Sequence, residues 1–141
     1  MKVLFGVASL NYQQNKRIKL SIKAAGHSVY FENDHETAIE SADKPSFLMP
    51  EDWLVLCRRE LAAANDCDAA IFDVTNKATF GVGFLASIRL SRAVPTLFLL
   101  SEGSRNGSII TGLEQPQLMR RIYNSKNVGT IVSNFIEGVR W

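Results

Sequence analysis

The apolar positions of this chain fall into short runs separated by polar or glycine-bearing turns, and their period changes from run to run. Lys2 to Ala8 is a nearly continuous apolar stretch, bounded by Gly6 and by Ser9-Leu10-Asn11, and it predicts a buried strand. From Asn11 to Ala25, Ile18, Leu20, Ile22 and Ala25 recur at mixed helical spacing among Gln and Lys, with Gly26 placed to close a helix. His27 to Phe31 predicts a second strand, and the polar connection Glu32 to Ser46 reads either as a lid or as a plain surface loop.

Pro50, followed by Glu51 and Asp52, predicts a helix start, because proline fits the first helical position and acids favour the positive end of the dipole. Trp53, Cys57, Glu60, Leu61 and Ala64 then share one face, so a carboxylate rides on an apolar stripe. Such a Glu sits at the edge of the stripe, in an ion pair, or in a polar pocket with a chemical task.

The stretch Asp68 to Leu85, DAAIFDVTNKATFGVGFL, organises the rest. Ala69 to Val74 predicts a buried strand, Thr75-Asn76-Lys77 ends it, and Gly81-Val82-Gly83 opens a helix running through Arg92. A strand feeding a helix through such a turn brings free backbone N–H groups and a positive dipole end to one spot, which suits an anion such as a phosphate. Asp73 lies where the strand runs out, and in open α/β sheets ligands gather at the carboxyl ends of strands.

Val94 to Leu100 predicts a further strand, Ser108 a cap for a short helix through Leu113, and Gln117 to Tyr123 an edge strand suited to Arg120 and Arg121. Val128 to Val139 predicts a closing amphipathic helix. Alternating strands and helices imply a three-layer α/β domain: a five-stranded parallel sheet with helices on both faces, flavodoxin/Rossmann-like, spanning residues 1–141 as one unit.

Composition narrows the function classes. A chain of 141 residues suffices for a single core burying roughly two thirds of the unfolded surface. With 16 basic and 14 acidic residues the net charge is +2, which leaves no polyelectrolyte footprint for nucleic acid, and Arg58-Arg59 and Arg120-Arg121 read as solvated faces. Cys57 and Cys67 lack a second pair or histidines at ligand spacing, so neither a zinc site nor a redox pair is predicted, and both read as buried hydrophobes in a reducing compartment. The N-terminal apolar run is too brief for a signal peptide, and no stretch nears the ~18 apolar residues of a spanning helix. A cytoplasmic protein with no membrane partner, no metal and no cofactor is expected.

Glu60-Leu61, then Cys67-Asp68-Ala69-Ala70-Ile71, Thr79-Phe80-Gly81-Val82-Gly83-Phe84 and the later Ser-Ile-Ile-Thr-Gly at 108–112 together carry a resemblance. Across nearly its whole length the chain resembles the nucleoside 2-deoxyribosyltransferase superfamily, and most of all the 2'-deoxynucleoside 5'-phosphate N-hydrolases. The resemblance implies a nucleoside or nucleotide partner and a homodimer or higher homo-oligomer. It puts Glu60 in the place of the carboxylate that contacts the sugar hydroxyl, and Ser9, Thr79 and Ser108 among the residues that bind the 5'-phosphate. Gly81 and Gly83 form the glycine turn of the same subsite.

Three positions depart from that pattern. The family's catalytic glutamate, which attacks the anomeric carbon, lies two residues beyond the glycine turn, where this chain has Leu85; neither Ala86 nor Ser87 replaces it. Asn11 stands where the hydrolases carry an arginine near the phosphate, and Phe5 where some carry a tyrosine. Losing a covalent nucleophile costs on the order of 10³ to 10⁶ in rate. The expected function is therefore nucleoside 5'-monophosphate binding with weak or lost N-glycosidase activity. Two alternatives stay open: an active glycosidase or transferase using a relocated or partner-supplied carboxylate, with Asp73, Glu32 or Asp34 as the stand-in acid and His35 as a base, and an oligomeric scaffold with a vestigial pocket.

Overall fold

The computed structural model describes residues 1–7, 12–31, 58, 61–75, 80–104 and 114–139. In chain order the elements are β1 (Lys2–Val7), α1 (Tyr12–Ala24), β2 (Ser28–Phe31), α2 (helical over residues 61–66), β3 (Ala69–Asp73), α3 (Phe80–Ser91), β4 (Thr96–Ser101), β5 (Leu118–Tyr123) and α4 (Val128–Gly138). The strands form one five-stranded sheet in the order β2-β1-β3-β4-β5, and every pairing is parallel. This is the three-layer α/β fold that the alternation of strands and helices predicts.

Central parallel strands are covered on both faces and so read as unbroken apolar runs. β3 is buried at all five positions, and its alternate residues feed two cores. Ala69 and Ile71 join Val3, Phe5, Leu97 and Leu99 beneath Ile18 and Ile22 of α1 and Val132, Phe135 and Ile136 of α4. Ala70 and Phe72 join Leu4 and Phe98 beneath Ala64 of α2 and Val82, Leu85, Ala86 and Leu90 of α3. Phe72 and Phe98, paired in register on β3 and β4, meet edge to face at 6.1 Å between ring centroids.

Two helices leave the sheet by the same hydrogen-bond pattern. At the end of α1 the Gly26 N–H donates to Lys23 O and the His27 N–H to Ile22 O, with Gly26 at φ +82°. At the end of α3 the Ala93 N–H donates to Leu90 O and the Val94 N–H to Arg89 O, with Ala93 at φ +55°. Both are Schellman caps, whose left-handed residue is ordinarily glycine. The second cap corrects the expected strand start. Val94 is consumed by the helix exit and Pro95 has no N–H to give, so β4 begins at Thr96.

Arg89 is 1% exposed, although a basic residue late in a helix reads as a surface group. Its Nη2 donates to the carbonyl oxygen of Cys67, just beyond α2, where a cation also complements the negative end of the helix dipole. Burial lowers the Arg89 pKa and pushes the Cys67 thiol up, so Cys67 remains a packed thiol and not a nucleophile. β5 lies at the sheet edge, as its two adjacent arginines predict; Arg121 is exposed, whereas Arg120 is half-buried with its Nε and Nη2 enclosed, so the reading of both as solvated holds for Arg121 alone. The connection from Glu32 to Ser46, the first turns of the Pro50 helix with Trp53 and Cys57, and the segment Ser108 to Leu113 lie outside the described residues.

The two caps yield opposite expectations. An added Cβ at Gly26 meets no atom within 4 Å, so Gly26→Ala is destabilising by about 1 kcal/mol through backbone strain alone. Ala93→Gly relieves the same strain and stabilises by about 1 kcal/mol. Urea denaturation of the two variants beside the parent checks both signs.

Candidate functional site

In this strand order the chain turns from one half of the sheet to the other between β1 and β3, and ligands of open α/β sheets bind outside the strand ends at that switch point. Val7 and Asp73 are partners in the register there and are the last residues of their strands. α1 follows β1 and α3 follows β3, so two helix N-termini approach this crevice from opposite faces of the sheet. Neither helix carries an acid in its first turn. No first-turn carboxylate therefore offsets their positive ends.

Asp73 is 2% exposed, and its carboxylate anchors a polar network spanning three strands. Oδ1 accepts the Thr75 backbone N–H at 3.0 Å, an Asx turn that bends the chain away from the strand, and also the Thr75 hydroxyl. Oδ2 accepts the Tyr123 hydroxyl at 2.6 Å. The Thr75 oxygen accepts the Ser101 N–H at 3.0 Å and lies 3.4 Å from the Tyr123 hydroxyl. Gln14, in the first turn of α1, adds a side-chain hydrogen bond to Tyr123. The C-terminal tips of β3, β4 and β5 and the start of α1 are therefore tied through one carboxylate. Burial, then the Asp73 bond, hold the Tyr123 pKa above its usual value, so the phenol remains a donor through the neutral range.

The glycine turn opens its helix slightly earlier than predicted: α3 begins at Phe80, so Gly81 and Gly83 fall within its first turn. N–H groups there have no intrahelical acceptor. Leu85 is 2% exposed and belongs to the apolar cluster with Val82, Ala86, Ala70, Phe72 and Phe98. Of the residues predicted to form the site, the structure thus places Asp73, Gly81 and Gly83 at the crevice, while Glu60, Ser9, Asn11, Thr79 and Ser108 lie outside the described residues, as do Glu32, Asp34 and His35. Thr75, Tyr123, Ser101 and Gln14 were not singled out by the sequence. The Asp-x-Thr spacing of an Asx turn was the one local signal available. Among the described residues no group of three His, Cys, Asp or Glu side chains is placed to hold a metal. No helix among them is long and apolar enough to cross a membrane.

No family model matches the sequence. No curated protein matches it either. Solved structures do. A CMP N-glycosidase, BcmB, of Clostridium botulinum superposes with a TM-score of 0.60 at 18% identity, covering 97% of this chain and 98% of its own. A 2-deoxyribosyltransferase from the psychrotolerant bacterium Bacillus psychrosaccharolyticus superposes with a TM-score of 0.64 at 14% identity, covering 95% of this chain and 91% of its own. The likeness is one of fold. It runs end to end on both partners, so the five-stranded sheet and its flanking helices are the architecture that these two proteins share with the chain.

Two stability effects follow from this geometry. Leu85→Glu puts a carboxyl into an apolar cluster and destabilises by about 3 kcal/mol at pH 7. Burial raises that carboxyl's folded pKa, so the variant recovers stability as pH falls toward the ordinary glutamate value of about 4.3. Tyr123→Phe leaves Asp73 Oδ2 without its donor and costs about 2 kcal/mol near neutrality. A phenol whose folded pKa is raised stabilises fully below its unfolded value of about 10 and loses that contribution as pH rises beyond it. The gap between wild type and Tyr123→Phe is therefore constant from pH 7 to 9 and narrows above 10, as read by denaturation at stepped pH.

Proposed function

We propose that the chain binds a nucleoside 5'-monophosphate at the crevice between β1 and β3, and that its N-glycosidase activity is weak or lost. The observation that carries this reading is the pair of acid-free helix N-termini converging on the switch point, in a fold shared with a CMP N-glycosidase and a 2-deoxyribosyltransferase. Backbone N–H groups and the aligned dipoles favour a phosphate there. Gly81 and Gly83 bring no side chain at two of the first four positions of α3, which favours close approach of an anion to the backbone there. By resemblance to the deoxynucleoside 5'-phosphate N-hydrolases, Ser9, Thr79 and Ser108 add hydroxyl donors to the phosphate, Asn11 lies beside them, and Glu60 orients the sugar.

The weak chemistry rests on two carboxyl positions. Leu85 occupies the place of the family nucleophile and is packed in an apolar cluster, so it supplies neither attack nor charge stabilisation. Among the described residues, Asp73 is the candidate stand-in acid. Both of its oxygens already accept hydrogen bonds from Thr75 and Tyr123, which favours a role in shaping the turn over a role as nucleophile.

Thermal denaturation with a panel of nucleoside monophosphates tests the binding. A ligand at ~100 times its Kd stabilises by ~2.7 kcal/mol, and absence of a shift with every nucleotide defeats the reading in favour of a scaffold. Chromatography of deoxynucleoside monophosphates incubated with the protein tests the chemistry. No free base is expected, and base release that disappears in Glu60→Ala shows a working glycosidase.

A further inference from the structure

We infer that the outer edge of β5 is a strand-addition site for an extended acidic segment of a protein partner, whose two successive carboxylates meet Arg120 and Arg121 on opposite faces of the sheet.

The main chain sets the geometry. At one end of the β4–β5 ladder the Thr96 N–H donates to Gln117 O at 2.9 Å, and at the other the Glu102 N–H donates to Tyr123 O at 2.8 Å. In a parallel ladder, alternate residues turn both main-chain groups toward the same neighbour, so 117, 119, 121 and 123 face β4. Leu118, Arg120 and Ile122 therefore turn theirs outward. The Leu118 N–H is taken by Gln115 O, and the Arg120 carbonyl by Nη1 of Arg121 at 2.8 Å. Among the described residues nothing pairs with the N–H groups of Arg120 and Ile122. Such groups are a template for a further strand.

The side chains on both faces fit the same occupant. Toward α3, where Arg120 shares the register of Phe98, a cavity of about 450 Å³ is lined by Glu114, Pro116, Leu118 and Arg120. Toward α4, a cavity of about 330 Å³ is lined by Met119, Arg121, Phe135 and Val139. An added strand alternates its side chains as β5 does, so consecutive residues enter the two cavities in turn. Arg120 has Nε and Nη2 without a hydrogen-bond partner and no ion pair to Glu114; a carboxylate is the acceptor that such a fork takes in pairs. The residue is only half-buried, which lets it turn toward a carboxylate arriving along the edge. Arg121 is exposed, and its bond to the Arg120 carbonyl lays its guanidinium along that edge. A second copy of β5 would set arginine against arginine, so an acidic segment is the better complement. The exposed Met119 and Ile122 favour apolar residues on either side of the acid pair.

The test uses the full chain and the blocked peptide Thr-Val-Glu-Glu-Val-Thr, which presents the acid pair and its apolar flanks in either strand direction. Fluorescence anisotropy of the labelled peptide is expected to show saturable binding about tenfold tighter than that of Thr-Val-Lys-Lys-Val-Thr, and about tenfold weaker in Arg121→Glu, the scale of one charge-assisted hydrogen bond. The acidic peptide N-methylated at both glutamates keeps its charge but cannot join a ladder, and is expected not to bind. Amide exchange reads the geometry: the acidic peptide slows exchange at Arg120 and Ile122 and leaves Met119 and Arg121, already bonded to β4, unchanged. If circular dichroism shows Arg121→Glu unfolded, the peptide comparison on wild type decides alone. Equal affinity for the acidic peptide and its N-methylated form means charge attraction without strand addition and overturns the inference. So does an absence of binding, and so does protection of the Arg120 and Ile122 amides that rises with protein concentration alone, the mark of a second copy on the edge. None of these outcomes bears on the nucleotide reading.

Discussion

A strand at the centre of a parallel sheet must satisfy its backbone on both sides while losing water on both faces, and Ala69–Asp73 meets that demand through β1 and β4. Everything else is placed relative to it. Its alternating side chains divide the interior into two cores, each closed by its own helices, and its register with β1 defines the switch point. Small residues at Ala69 and Ala70 let helices approach its start, and the larger Ile71 and Phe72 fill the middle. Only at the last position does a polar side chain enter, and there it organises the exits of three strands.

A nearly inaccessible carboxylate without compensation is costly, and Asp73 shows how the cost is offset. Three donors converge on it from Thr75 and Tyr123, and no lysine or arginine is needed for the geometry. Among the described residues the donors to Asp73 are all neutral, and in the proposed function the backbone N–H groups of the two helices help to attract the anionic ligand. In the proposed function this network holds the frame, while main-chain N–H groups and the hydroxyls of Ser9, Thr79 and Ser108 face the phosphate.

The sheet was legible because its strands are short apolar runs and its helices carry the complementary stripe. Gly26 announced the end of α1, since a glycine after a helical run is the commonest left-handed cap. Ala93 plays the same part at the end of α3 with no such signal, so the apolar run from Val94 suggests a β4 that starts two residues before Thr96. Asp73 was recognisable as a residue at a strand end, but its partnership with Tyr123 was not. The two are fifty positions apart and meet only because β5 lies parallel to β4 in one particular register. Arg89 was hidden in the same way, because the carbonyl that accepts its hydrogen bond belongs to another helix's exit. Leu85 could be read as an absent acid from sequence, whereas its membership of the apolar core required the fold.

The outer border of the sheet has a consequence of its own. Leu118–Tyr123 is an edge strand with an exposed Ile122, 68% accessible, beside two consecutive arginines whose side chains leave on opposite faces. Two molecules aligning these borders antiparallel about the strand's middle would set Arg120 of each opposite Arg121 of the other, one pair on each face, and like charges directly opposite each other on neighbouring strands repel. Like charges at neighbouring positions thus disfavour edge-to-edge strand pairing of two copies at an otherwise apolar margin.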